Sequence, residues 1–307
     1  MPEKLIIVEN TFITIQVFYR YCPYLYPMKS KQKKSRFVNS LITNTIIVFG
    51  TLIILWKVDF TPGSPDAKTS LKDSVKEEYH PFSNNVKGSD GEIIKHTYFT
   101  FSYNELYEQP DWVAYMLTPE MLSGYAKRKS RFINDPLVKT GSASHDDYTN
   151  TGFDRGHLMP AATCDFDQNA KDETFYASNI SPQVPGFNRG IWKQIEKTVR
   201  DWTNQYGHLY VVTGPAIFIP DSVIGENEVG VPASFYKVVL HKEGSKYSTA
   251  AFLLKNEKSN LEPFDFLVPV DSVENITGLD FFWELQDSIE ETTERTVSGK
   301  FLPTSAK

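Results

Sequence analysis

The sequence predicts an α+β domain carried behind a membrane-spanning segment, on three observations. One apolar run near the N-terminus is long enough to cross a bilayer. Short stretches of period-two alternation, the signature of strands, are scattered through the remainder. Between them, Ile191, Ile195, Val199 and Trp202 recur at helical spacing. Strands and helices are mixed without a regular βαβ alternation, so α+β fits better than a parallel α/β sheet.

The elements follow in order. Residues 1–36 form a basic segment closing on Lys29, Lys31, Lys33, Lys34 and Arg36. Residues 37–56 carry no charge; about 20 residues at ~1.5 Å each make a helix ~30 Å long, matching the hydrocarbon core of a bilayer. Only Lys57 and Asp59 follow at once. The positive flank therefore puts the N-terminus in the cytosol and assigns 37–58 as an anchor or signal. The expected location is membrane-anchored, with the domain periplasmic or extracellular, or secreted if the segment is cleaved. Against cleavage, Leu55-Trp56-Lys57-Val58-Asp59 offers no small-x-small site, and a buried core helix fits the basic flank poorly. Met28 is an alternative start. Residues 59–91, rich in Pro, Ser, Gly and charge, read as a flexible linker.

A globular domain is expected over 92–307. Strands are expected at 96–103, 112–117, 209–213, 235–241 and 248–254, a helix from Asn188 to near Gly207, and a second helix over 281–290. The 307-residue chain is 40% apolar and 23% charged with 21 Phe and 16 Tyr, which excludes a wholly disordered protein. A net charge of −6 excludes binding of a polyanion by bulk charge. Cys22 and Cys164 form neither a ligand cluster nor a disulfide framework.

Chemistry concentrates between Arg131 and Glu196. Asp154-Arg155-Gly156-His157 packs an acid, a guanidinium and an imidazole into four positions. In an extended chain Arg155 and His157 share a face. An imidazole accepts a proton near neutral pH, and a guanidinium holds phosphate oxygens bidentately. Phosphodiester hydrolysis needs both groups, although a lone histidine is more often a structural hydrogen-bonder. Asn188 stands at the start of the expected helix, with Glu196 about 12 Å of helical rise beyond it. Asn188 reads equally as a helix cap or as a carboxamide ligand of a hydrated hard ion such as Mg²⁺, with Glu196 holding that ion's waters. Lys127, Arg128, Lys129, Arg131, Arg155, Arg189 and Lys193 either line a basic cleft or form a solvated face. His145, Asp146 and Asp147 read as a surface loop, while His80, His96, His208 and His241 read as structural. Trp112, Trp192 and Trp202 read as core.

Taken together, Thr151-Gly152-Phe153-Asp154-Arg155-Gly156-His157-Leu158-Met159-Pro160-Ala161-Ala162, Glu173-Thr174-Phe175, Ser178-Asn179-Ile180-Ser181-Pro182-Gln183 and Phe187-Asn188-Arg189-Gly190-Ile191-Trp192, with Glu196, resemble the DNA/RNA non-specific endonucleases, the ββα-metal (His-Me finger) group related to endonuclease G. The resemblance covers about 92–302 and implies a mixed, mainly antiparallel sheet core with a ββα-metal finger carrying the site. It implies Mg²⁺-dependent cleavage of DNA and RNA to 5′-phosphates, with Mn²⁺ as a substitute ion. His157 would be the base and Asn188 the direct metal ligand, with Glu196 and Asn179 ordering the ion's waters. Arg155, Arg131 and Arg189 would contact phosphate, and Asp154 would orient its neighbours. A homodimer is left open. Thr163 departs from the Asp that family members often carry after Pro-Ala-Ala. The alternative is a catalytically silent nuclease-like module that binds nucleic acid or serves a structural role.

Overall fold

The computed structural model describes residues 86–303. The basic segment, the expected span at 37–58 and the linker up to residue 85 lie outside the described residues. Among the described residues no helix is long and apolar enough to cross a membrane. The ordered fold begins earlier than expected. Val86–Lys87 pairs antiparallel with Asp280–Phe281, Val86 is buried, and Trp112 Nε1 donates to Ser89 Oγ at 3.1 Å. The last part of the expected linker is therefore an edge of the domain.

In chain order the strands are β1 (Val86–Lys87), β2 (Glu92–Lys95), β3 (Thr100–Asn104), β4 (Gln109–Leu117), β5 (Asp154–His157), β6 (Ile180–Gln183), β7 (Leu209–Ile224), β8 (Val229–Glu243), β9 (Lys246–Lys255), β10 (Leu267–Val268) and β11 (Asp280–Phe281). The α-helices are α1 (Gln168–Glu173), α2 (Lys193–Tyr206), α3 (Val270–Thr277) and α4 (Asp287–Glu294). Seven strands form one sheet in the order β10-β9-β8-β7-β4-β3-β2, with every neighbour antiparallel.

Period-two alternation divides the sheet between two cores. Val113, Tyr115, Val211, Phe235, Val239, Phe252 and Leu254 face α2 with Trp192, Ile195, Val199 and Trp202. Their neighbours Trp112, Ala114, Val212, Tyr236, Val238, Ala251 and Leu253 face α3, with Val270 and Val273. All three tryptophans expected in the core are buried there.

Three expectations about elements change. Residues 96–99 leave the first strand, because His96 turns inward to Asp135 at 2.7 Å and β3 starts only at Thr100. Residues 281–286 are not helical: Phe281 pairs in β11, Phe282 takes φ +55°, and α4 begins at Asp287. Helix α3 was not anticipated. Its start at Pro269 and its left-handed Gly278 cap (φ +73°) are ordinary signals on a short helix.

Candidate active site

Strands β5 and β6 form a separate two-stranded ribbon with registers Asp154↔Gln183, Arg155↔Pro182, Gly156↔Ser181 and His157↔Ile180. Gly156 is required by closeness. A Cβ there would sit 2.0 Å from Gln183 Cδ, and Gln183 is fully buried. Asn256 pins the ribbon to the sheet: its Nδ2 donates to Pro182 O and Pro232 O, each at 3.0 Å, and its Oδ1 accepts from Val184 N at 2.8 Å.

The helical side differs from a straight helix begun at Asn188. Phe187–Trp192 is a wide π-type turn broken at Gly190 (φ −103°, ψ −112°), and α2 proper begins at Lys193. The 12 Å rise expected between Asn188 and Glu196 therefore does not apply, since the two stand on either side of a break. Nor does Asn188 cap the helix. Its Nδ2 donates to Asp154 Oδ2 at 2.9 Å, which aims Oδ1 away from that carboxylate. Arg189 Nε donates to the same Asp154 oxygen at 2.7 Å, and its Nη2 bonds the other. Burial alone would raise the Asp154 carboxyl; the bonds from Arg189 and Asn188, with the charges of Arg189 and Arg155, hold it below the usual carboxylate range.

His157 closes β5, about 10 Å along the strand from Asp154. Its ring is packed by Phe132 (centroids 5.2 Å) and edge-on by Phe175 (5.1 Å), and the residue is 8% exposed. Nε2 is buried with no hydrogen-bond partner. Burial, and then the charge of Arg128, push its pKa down to about 3. The Arg128 guanidinium lies 5.1 Å over the Phe175 ring, on the same aromatic floor.

Glu196, in the first turn of α2, shares that environment. Burial raises its carboxyl, against the pull of Lys237, Arg200, Arg128 and Lys193. Arg128 thus acts on both His157 and Glu196. Lys237 belongs with them: it is fully buried, stands 4.9 Å over the Trp192 ring, and donates to Leu158 O at 3.4 Å. Burial drives it down to about 7, opposed by Glu196. Lys237 occupies the α2-facing position of β8 between Phe235 and Val239, where alternation calls for an apolar residue. That break in pattern was the available signal.

Other expected site residues fall elsewhere. Arg155 shares His157's side of β5, but Nε and Nη2 both donate to His145 O (3.1 and 2.6 Å) and Nη2 also reaches Thr149 Oγ1 at 2.9 Å. Arg131 is exposed, 3.5 Å from Asp146. Asn179 is fully buried with its amide spent on backbone: Oδ1 accepts from Met159 N at 2.8 Å, and Nδ2 donates to Met159 O and Thr174 O at 2.9 Å. Asn179 thereby holds the turn that follows His157, where Leu158 N donates to Asn179 O at 2.9 Å. Thr163, the family departure, bonds Pro160 O at 2.6 Å inside a 3-10 turn.

The 145–147 stretch is a surface turn only in part: Asp146 is exposed, while its neighbours turn inward. The His145 ring stacks on Phe132 with centroids 6.3 Å apart. Asp147 is buried, accepting from Ser144 N (2.6 Å), Ser144 Oγ (2.8 Å) and Asn227 Nδ2 (2.8 Å), which ties the turn to the β7–β8 hairpin.

The donor set fits a hard divalent ion. A carboxamide oxygen turned from its own hydrogen bond, and the carboxylate of Glu196 in the first turn of α2, are oxygen ligands of the kind such an ion takes.

Comparison with known proteins places the chain in a family. The sequence model described as DNA/RNA non-specific endonuclease matches residues 80–288. The chain is 40% identical over 188 residues to mitochondrial endonuclease G of Bos taurus, covering 55% of this chain and 62% of that protein. It is 35% identical over 219 residues to nuclease C1 of Cunninghamella echinulata var. echinulata, covering 66% of this chain and 86% of that one. A crystal structure of an EndoG/EndoGI complex superposes with a TM-score of 0.61 at 32% identity, covering 66% of this chain and 90% of that chain. A match spanning that much of the chain, with the His157 ribbon and the Asn188 turn inside it, makes this chain a member of the DNA/RNA non-specific endonuclease family.

Proposed function

We propose that this chain is a divalent-metal-dependent endonuclease that hydrolyses phosphodiester bonds in DNA and RNA without sequence preference, leaving 5′-phosphates. The observation that carries this reading is a buried histidine packed between Phe132 and Phe175. His157 sits beside the same guanidinium as Glu196, on the strand whose first residue is hydrogen-bonded to Asn188.

Each residue's part follows from its surroundings. With its pKa far below neutral, His157 is unprotonated at working pH, the state a base requires. Nε2 is sealed off, so Nδ1 is the atom that takes the proton from the attacking water. Asn188 Oδ1 and Glu196 would hold Mg²⁺, or Mn²⁺ in its place, and Asp154 with Arg189 fixes the Asn188 amide in the orientation this needs. Bound there, the ion supplies Lewis-acid stabilisation of charge on the phosphate and leaving oxygens. Arg128, close to both catalytic groups, places a positive charge where a scissile phosphate would lie. Arg131 and Arg155 extend that charge along the strand. Contacts to phosphate carry no sequence information, hence no sequence preference. The same reading keeps the domain outside the cytoplasm on the 37–58 anchor; the lysine-rich flank before it supports this.

The test is supercoiled plasmid and a structured RNA incubated with the purified chain, Mg²⁺ and then EDTA. Nicking of both that stops with EDTA is expected. Nicking insensitive to EDTA would remove the metal from the scheme, and no nicking would favour the silent module.

A further inference from the structure

The sheet face opposite the nuclease site holds a second group of oxygen ligands. Asp271 and Glu274 are three residues apart on α3, so they share a face, and Glu294 ends α4 beside them. One carboxylate oxygen from each lies within 4.8 Å of the other two. Glu294 is only 3% exposed, and its Oε1 is buried with no hydrogen-bond partner. An orphaned carboxylate oxygen in a dry site is costly unless a proton or a cation meets it.

The surroundings supply negative charge. Asp280 and Glu290 act on both Glu274 and Glu294, and the cation that reaches Glu290, Lys87, lies 3.6 Å over the Trp283 ring. Glu274 Oε1 accepts from Phe281 N at 2.8 Å, which fixes its side chain toward the β11 turn.

The geometry points to a calcium site formed by Asp271, Glu274 and Glu294 that clasps α4 to α3. Calcium takes oxygen ligands at about 2.3–2.6 Å, so opposite ligands stand about 5 Å apart, and three oxygens all within 4.8 Å of one another fit on its shell. Mg²⁺, at about 2.0–2.1 Å, demands near-ideal octahedral geometry and keeps several of its waters, so a cluster of three protein carboxylates suits Ca²⁺ better. Both helices pack on the second core, away from His157 and Asn188, so the proposed ion is structural and separate from the reaction.

The test uses the full chain, freed of metal with chelator, and follows thermal unfolding as CaCl₂ or MgCl₂ is added. The expected result is a rise in melting temperature of several degrees with Ca²⁺ and a smaller one with Mg²⁺. Glu294→Gln should weaken the Ca²⁺ response at least about tenfold in concentration while Mg²⁺-dependent nicking persists. Since it removes a buried acid without a partner, this variant should fold at least as well as wild type without the ion. Asp271→Asn, on the more exposed side of the group, serves as the independent second variant and should behave alike. No Ca²⁺ effect on the wild-type chain, or one retained in both variants, would overturn the proposal and leave the carboxyls occupied by protons.

Discussion

Replacing Asn179 with Ala separates a structural role from a metal role at a position the family resemblance assigns to the ion. The side chain makes three fully buried bonds, to Met159 N, Met159 O and Thr174 O. At about 1 kcal/mol net each, and more where a backbone group is left dry, their loss costs about 3–5 kcal/mol. For a domain of this size that lowers the melting temperature by about 10 °C or more. The turn they hold follows His157 directly, so the rate should also fall. Asn188 and Glu196 are untouched, and the Mg²⁺ concentration for half-maximal rate should stay within about twofold. Thermal unfolding and a Mg²⁺ titration of single-turnover plasmid cleavage, read at a temperature where the variant is folded, decide the matter. A wild-type melting temperature with a strongly raised Mg²⁺ requirement would refute this reasoning and return Asn179 to the metal.

Further outcomes follow from the same geometry. Lys237→Met should lower stability at neutral pH, because it leaves the buried Glu196 carboxyl without the cation that faces it. Its cleavage rate should fall at neutral pH, with the acid limb moved to higher pH, since Glu196 loses the cation that most opposes its burial; an unchanged pH–rate profile would contradict the coupling. His157 titrates near 6.5 when unfolded and near 3 when folded, so below pH 6.5 the unfolded chain binds the extra proton. Its contribution is fully present above 6.5 and lost as pH falls toward 3, at about 1.4 kcal/mol per pH unit. Urea unfolding of wild type and His157→Gln at pH 7 and pH 5 should therefore show a steeper loss in wild type, and equal slopes would argue against a neutral buried ring. Gly156→Ala should impair cleavage and stability together, because its Cβ meets Gln183 at 2.0 Å; native activity would show that Gln183 moves freely.

Much of this was legible because alternation and helical spacing are local. Phe235, Val239, Ile195 and Val199 announced their strand and helix, and the Asp154–His157 and Asn188 clusters announced the site. The unread parts depend on contacts distant in sequence. Lys237 becomes part of the site only because β8 runs beneath the ribbon and brings it to Leu158. Asn179 resembles a metal-side residue in the motif, yet its amide is consumed by Met159 and Thr174. The break at Gly190 left no periodic trace, since Phe187, Ile191 and Ile195, all buried, keep helical spacing across it. Phe281 and Phe282 suggested a helix because apolar pairs carry no period, and pairing with Val86 decided otherwise.

The most direct test of the central claim is chemical rescue of the missing imidazole. His157→Ala should cleave plasmid at least about 10²-fold more slowly than wild type, and added imidazole should restore part of that rate by entering the space between Phe132 and Phe175. Asn188→Ala, slowed through loss of the ion's ligand, should gain nothing from imidazole. Near-normal turnover in His157→Ala without imidazole would show that the proton goes elsewhere, and the scheme would fail.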